Sequence, residues 1–173
     1  MSETLAAPAP STTAADKLRS RMRSPWLMRL YMLAKLPLAL IAGVRVRELD
    51  AERCAVTIPY GWRTTNPFRS TYFAALSMAA EMSTGALSMV TVQSAPAPVA
   101  MLIVHMEASF EKKATALTTF TCEDGAKAIA AVEETLRTGE PATARLESVG
   151  RMPDGTEVAR FTFTWSFKKR SKS

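Results

Sequence analysis

Between Asn66 and Val90 the chain reads NPFRSTYFAALSMAAEMSTGALSMV, a long and nearly charge-free helical segment with one carboxylate, Glu81, in its middle. From Tyr72 onward, Phe73, Leu76, Met78, Ala79, Ala80, Met82, Ala86, Leu87 and Met89 spread around the whole circumference of a helix. A helix that is apolar on every side has to be enclosed by the rest of the fold. Its exceptions are ordered: Ser77, Glu81, Thr84 and Ser88 follow one another at spacings of four, three and four, so they share a face. An ionised carboxylate is costly to bury unless it is paired, hydrogen-bonded or functional, so Glu81 is the first residue to explain.

The chain has 173 residues, enough for one domain with a substantial core, and carries a net charge of +6. That balance favours anionic partners. Its basic blocks, Lys17 to Arg23 and Lys168 to Lys172, lie near the termini and read as solvated tails, and no nucleic-acid motif accompanies them. Two separated cysteines, Cys54 and Cys122, predict no disulfide framework and fit a reducing, cytoplasmic setting. With one histidine, a conventional zinc site is excluded; a phosphate loop and a G-x-S-x-G elbow are also missing.

Residues 1–20 are small, polar and proline-bearing, the composition of a disordered lead. Residues 21–43 read as an amphipathic helix. A membrane-spanning helix is rejected because Arg29 and Lys35 interrupt it, each costing about 2.5–3.5 kcal/mol on insertion scales, and because Pro37 breaks the pattern. Leu27, Leu30, Ala34, Leu38 and Ile41 form a stripe predicted to pack on the domain. Contact with a membrane surface is the less favoured alternative.

Residues 44–168 form the predicted domain, and 169–173 a basic tail. Val44 to Ile58 suggests two short strands joined around Asp50, followed by the enclosed helix. Val99 to Lys112 alternates as a strand, with Val104, Met106, Ala108 and Phe110 against His105, Glu107, Ser109 and Glu111. Thr115 to Cys122 reads as another strand, and Asp124 to Arg137 as a helix stopped by Gly139. Two last strands, Ala142 to Arg151 and Glu157 to Lys168, flank the hairpin signal Asp154-Gly155. The expectation is an α+β fold in which a curved antiparallel sheet of about six strands wraps a central apolar helix.

This order, and the segments Asn66 to Gly85 and Ser109-Phe110-Glu111-Lys112-Lys113-Ala114, resemble the hotdog-fold superfamily. The likeness is to an uncharacterised thioesterase-like branch related to the phenylacetate-pathway acyl-CoA thioesterases. There, an Asn precedes a His-Gly-Gly turn at the helix start, and a catalytic Asp follows the His by nine residues. Asn66, Tyr72-Phe73-Ala74 and Glu81 occupy those positions, so the turn has lost its His and glycines and Glu replaces Asp.

The resemblance implies hydrolysis of a fatty or aryl acyl thioester. Glu81 would act as base or nucleophile, and Asn66 would position water or the thioester oxygen. Backbone N–H groups of Phe73 or Ala74, beside Tyr72, would polarise the carbonyl. Ser77 and Thr84 could hydrogen-bond the Glu81 carboxylate, and Met78, Met82, Met89, Met101 and Met106 would line a deformable acyl tunnel. Arg63, Arg69, Lys112 and Lys113 are the candidates for the coenzyme A phosphates. No metal or cofactor beyond substrate-borne coenzyme A is implied, and a homodimer or tetramer is expected. The alternative is a non-catalytic hotdog module that binds acyl chains or lipid, with Glu81 a polar contact between helices.

Overall fold

In the computed structural model, residue 20 and residues 24–170 are described; the predicted lead up to residue 19, the first three residues of the predicted helix, most of the first basic block and the last three residues of the tail lie outside them. The N-terminal segment forms two helices, α1 (Pro25–Lys35) and α2 (Pro37–Ala42). They part at Leu36, because Pro37 lacks the N–H that would continue α1 and its ring suits a first helical turn. Gly43 then takes a left-handed conformation, φ 82°, and ends α2.

The seam of these helices is not the expected one. Met28, Met32, Ala39 and Ala42 are buried, whereas Leu27, Leu30, Leu38 and Ile41 lie open to solvent, as does Ala34. The stripe chosen from periodicity is the outer one. Both faces of α1 are apolar, so period alone could not say which would meet the core.

The domain proper comprises β1 (Arg45–Leu49), β2 (Cys54–Ile58), α3 (Phe73–Ser94), β3 (Val99–Phe110), β4 (Thr118–Cys122), α4 (Gly125–Thr138), β5 (Ala142–Arg151) and β6 (Glu157–Lys169). The strands form one antiparallel sheet in the order β1-β2-β4-β5-β6-β3. α3 touches all six, and α4 runs beside its C-terminal half. Length and composition would let α3 cross a membrane, but 67% of its apolar window is buried within the fold, so it is the core helix. Residues 66–72, read from the sequence as part of the helical stretch, instead form the loop and cap before it.

The turns follow local chemistry. Asp50 Oδ1 accepts the N–H groups of Glu52 and Arg53 at 2.8 and 2.7 Å, closing the β1–β2 connection. Gly139 at φ 79° ends α4, and Gly155 at φ 85° turns the β5–β6 hairpin. Phe161, Phe163, Trp165 and Phe167 of β6 all face α3 and are buried. With Phe120, Leu87 and Leu146 they form the centre of the core, at about 1.5–3 kcal/mol for each large side chain removed from water.

Among the described residues β3 is an edge strand, paired with β6 alone. A register shift between Ile103 and His105 changes which residues face inward. Met101 and Ile103 sit opposite Phe167 and Trp165, whereas beyond the shift Met106, Ala108 and Phe110 sit opposite Phe163, Phe161 and Ala159. The outer half of the strand keeps Met106 and Phe110 exposed.

Candidate functional site

The start of α3 is pinned by the loop before it. The Tyr72 N–H donates to the Thr64 carbonyl at 2.7 Å, and the Thr71 N–H and Oγ1 both donate to the Ala114 carbonyl, at 2.8 and 3.1 Å. The first turn of the helix is thereby tied to the segment that follows β3. Tyr72 caps α3 in an extended conformation without a side-chain hydrogen bond. Among the described residues nothing accepts from the N–H groups of Phe73 and Ala74, the free donors every helix start carries.

A cleft of about 600 Å³ opens at this point, a size suited to a small-molecule ligand. Its lining brings together Asn66, Tyr72, Phe73, Lys112 and Lys113, which the sequence singled out from separate segments. Phe68, Thr71, Leu76, Phe110 and Glu111 line it as well and were not anticipated as site residues. Phe73 and Phe110 meet edge to face at 6.5 Å, and Phe110 meets Phe161 at 5.6 Å, so an aromatic chain runs from the cleft into the core.

Asn66 is engaged in its own loop. Its Oδ1 accepts the N–H groups of Phe68 and Ser70 at 3.0 and 3.2 Å, and its Nδ2 contacts Ser70 Oγ at 3.2 Å. Lys113 reaches the Phe68 carbonyl at 3.2 Å, bracing the same loop. Arg63 lies beside Gly43 at the end of α2, Arg69 occupies a left-handed position at φ 58°, and neither lines the cleft.

Glu81 stands apart from the cleft, eight residues into α3 from Phe73. At the rise of an α-helix that is about 12 Å along the axis. Its carboxylate has no hydrogen bond or ion pair among the described residues, and burial raises its pKa above the usual carboxylate range. Oε1 folds back toward Gly85, which the Trp165 ring also approaches.

The hydroxyls expected to hold that carboxylate do not. Ser77 Oγ donates to the Phe73 carbonyl, and Thr84 Oγ1 donates to the main-chain carbonyl of Glu81, both at 3.0 Å. Within a helix these short side chains satisfy themselves on a carbonyl one turn back. Thr84 Oγ1 also accepts from Trp165 Nε1 at 3.0 Å, and Ser83 and Ser148 share a 2.7 Å bond between helix and sheet. Trp165, which packs on Gly85 and bonds Thr84 in the turn after Glu81, is the residue here that sequence reasoning missed. The available signal was a single indole among the phenylalanines of β6, whose N–H needs a partner once buried.

Of the methionines assigned to a tunnel, Met82 is buried in the core, Met78, Met89 and Met101 are half-buried, and Met106 is exposed on the edge strand. His105 is exposed on the opposite face of β3 beside Glu107, at 3.1 Å. No group of acidic, cysteine or histidine side chains able to hold a metal occurs among the described residues.

A family model described as Domain of unknown function (DUF4442) matches residues 24–167. Similar solved structures include a protein of unknown function from Pseudomonas aeruginosa, described as a probable thioesterase. It has a TM-score of 0.72 and 20% identity over 87% of this chain and 99% of that one. A thioesterase from Haemophilus influenzae gives a TM-score of 0.60 and 13% identity over 81% and 88% of the two chains. The PaaI protein from the phenylacetic acid degradation operon of E. coli gives 0.59 and 14%, over 90% and 98%. At these identities the likeness establishes the fold, which is the hotdog fold. No curated protein matches the chain.

Proposed function

The chain belongs to the DUF4442 family, and we propose that it is an acyl-CoA thioesterase, cleaving a fatty or aryl acyl thioester with Glu81 as general base or nucleophile. The observation that carries this reading is the Glu81 carboxylate itself. It is the one charged group within α3, it has no polar partner among the described residues, and burial raises its proton affinity. A carboxylate so perturbed suits proton abstraction near neutral pH better than an exposed one.

The free N–H groups of Phe73 and Ala74, at the positive end of α3, supply the carbonyl-polarising element. They need no histidine or glycine side chain for that role. Lys112 and Lys113 would offer cationic contact to the coenzyme A phosphates at the mouth of the cleft, and Phe73 and Phe110 an apolar wall to the acyl group. The separation of about 12 Å along α3 is too long for one thioester to meet both elements of a single copy. Pairing of two copies, with Glu81 of one serving the cleft of the other, resolves this, and the unpaired apolar edge of β3 offers a surface for it.

The test is thioester hydrolysis by the purified protein across acyl-CoA chain lengths, beside Glu81→Gln. Turnover that falls about 100-fold or more in the variant supports the reading. Acyl-ligand binding without turnover by either protein would replace it with the acyl-binding module. Equal turnover in both would remove Glu81 from the chemistry.

A further inference from the structure

We propose that the outer face of α1 and α2 is a docking surface for an anionic lipid bilayer. At the helical repeat of about 100° per residue, Trp26, Leu27, Leu30, Leu33 and Ala34 fall on one arc of α1, opposite the buried Met28 and Met32. Trp26 is 76% exposed, Leu30 61% and Leu33 63%, and α2 continues the surface with Leu38 at 66% and Ile41 at 58%. Large apolar side chains open to water in such number on one short segment mark an interaction site.

Charge selects the occupant. From Lys17 to Arg47 the sequence holds eight Lys or Arg and no Asp or Glu. Within the described part Arg29 lies over the Trp26 ring at 6.0 Å, on the flank of the apolar arc, and Lys35 sits at the end of α1. An apolar face flanked by cations and carrying a tryptophan is the composition of a helix that lies in the headgroup layer. A second copy of the chain fits less well. In a two-fold contact the same cations would confront one another with no acid to neutralise them. Anionic headgroups supply the missing charge, each nearby cation adding to the attraction.

The inference does not depend on the chemistry assigned to Glu81, and its test needs no substrate. The full-length protein would be floated with vesicles of phosphatidylcholine alone and of phosphatidylcholine mixed with phosphatidylglycerol. Binding is expected to the mixed vesicles, at least tenfold stronger than to phosphatidylcholine, weakened by salt and accompanied by a blue shift of tryptophan emission. A triple variant, Leu27→Asn with Leu30→Asn and Leu38→Asn, alters only exposed side chains and should melt as the parent does while losing at least tenfold in binding. Arg29→Gln with Lys35→Gln should weaken binding to mixed vesicles and abolish part of its salt dependence. No flotation with either vesicle, equal flotation with both, or flotation unchanged in the triple variant would overturn the proposal. So would a triple variant that only dissociates an oligomer in sedimentation, which would assign the face to a second copy.

Discussion

Glu81 Oε1 folds over Gly85 so closely that a β-carbon built on the glycine would stand 2.9 Å from it, and 3.3 Å from the Trp165 ring. Gly85 is therefore the floor on which the carboxylate rests. Gly85→Ala gains about 1 kcal/mol of helix propensity but forces either the carboxylate or the indole to move, an overpacking cost of about 1–3 kcal/mol. The expected outcome is a small net change in melting temperature with a fall in kcat of tenfold or more. Unaltered kcat with acyl-CoA would show that the carboxylate's position is irrelevant to turnover.

Replacing Glu81 by Gln should stabilise the protein at neutral pH. The carboxyl pKa is raised in the fold by desolvation, so the folded state holds its proton after the unfolded chain, near pH 4.3, has released it. Stability from this group is complete below that value and is lost as pH rises through the folded pKa. The melting-temperature advantage of Glu81→Gln should thus be near zero at about pH 4 and grow toward neutrality. The parent's kcat/KM should carry an acidic limb above the ordinary carboxylate range, which a pH–rate profile will read directly.

Gly125→Ala should be strongly destabilising, against the trend for glycine in a helix. A β-carbon there would stand 2.1 Å from the Ala51 carbonyl oxygen, a backbone atom of the β1–β2 connection that cannot swing aside. The Gly125 N–H donates to the Glu52 carbonyl at 3.1 Å, so the close approach is part of the docking of α4. A loss of about 3 kcal/mol or more in denaturant unfolding is expected. A neutral effect would mean that the hairpin yields.

Cys54 and Cys122 face each other across β2 and β4 as free, fully buried thiols. Burial pushes the Cys122 pKa up to about 12, and that of Cys54 is raised by burial too. With almost no thiolate present, both should resist a thiol reagent at pH 8 and react together once guanidinium unfolds the chain. Labelling of either at native rates would contradict the packing of β2 on β4.

The hotdog order could be read from the chain because its signals are local. An all-round apolar helix, alternating strands, Asp50, Gly139 and Asp154-Gly155 each specify their own neighbourhood, and together they specify an enclosed helix in a curved sheet. The site was legible in part. Asn66, Tyr72, Phe73, Lys112 and Lys113 line one cleft, whereas Glu81, Ala74, Arg63 and Arg69 are not among its lining residues. The Ser77 and Thr84 hydroxyls were assigned to the wrong acceptor because spacing gives the face a side chain occupies, not the atom it bonds.

The sequence by itself determined that α3 would be the core helix, since so apolar a segment has to bury most of its circumference, and Glu81 is half-buried on it. Only the tertiary structure decided what else stands there: Gly85 is the neighbour one turn along α3, but Trp165 comes from β6 and reaches Gly85 and Thr84 only through the packing of β6 on α3. The same holds for α1. Its composition makes two apolar faces, and the fold buries the one that carries Met28 and Met32. Both faces offer large apolar side chains, so the choice belongs to shape complementarity, which a one-dimensional pattern does not encode.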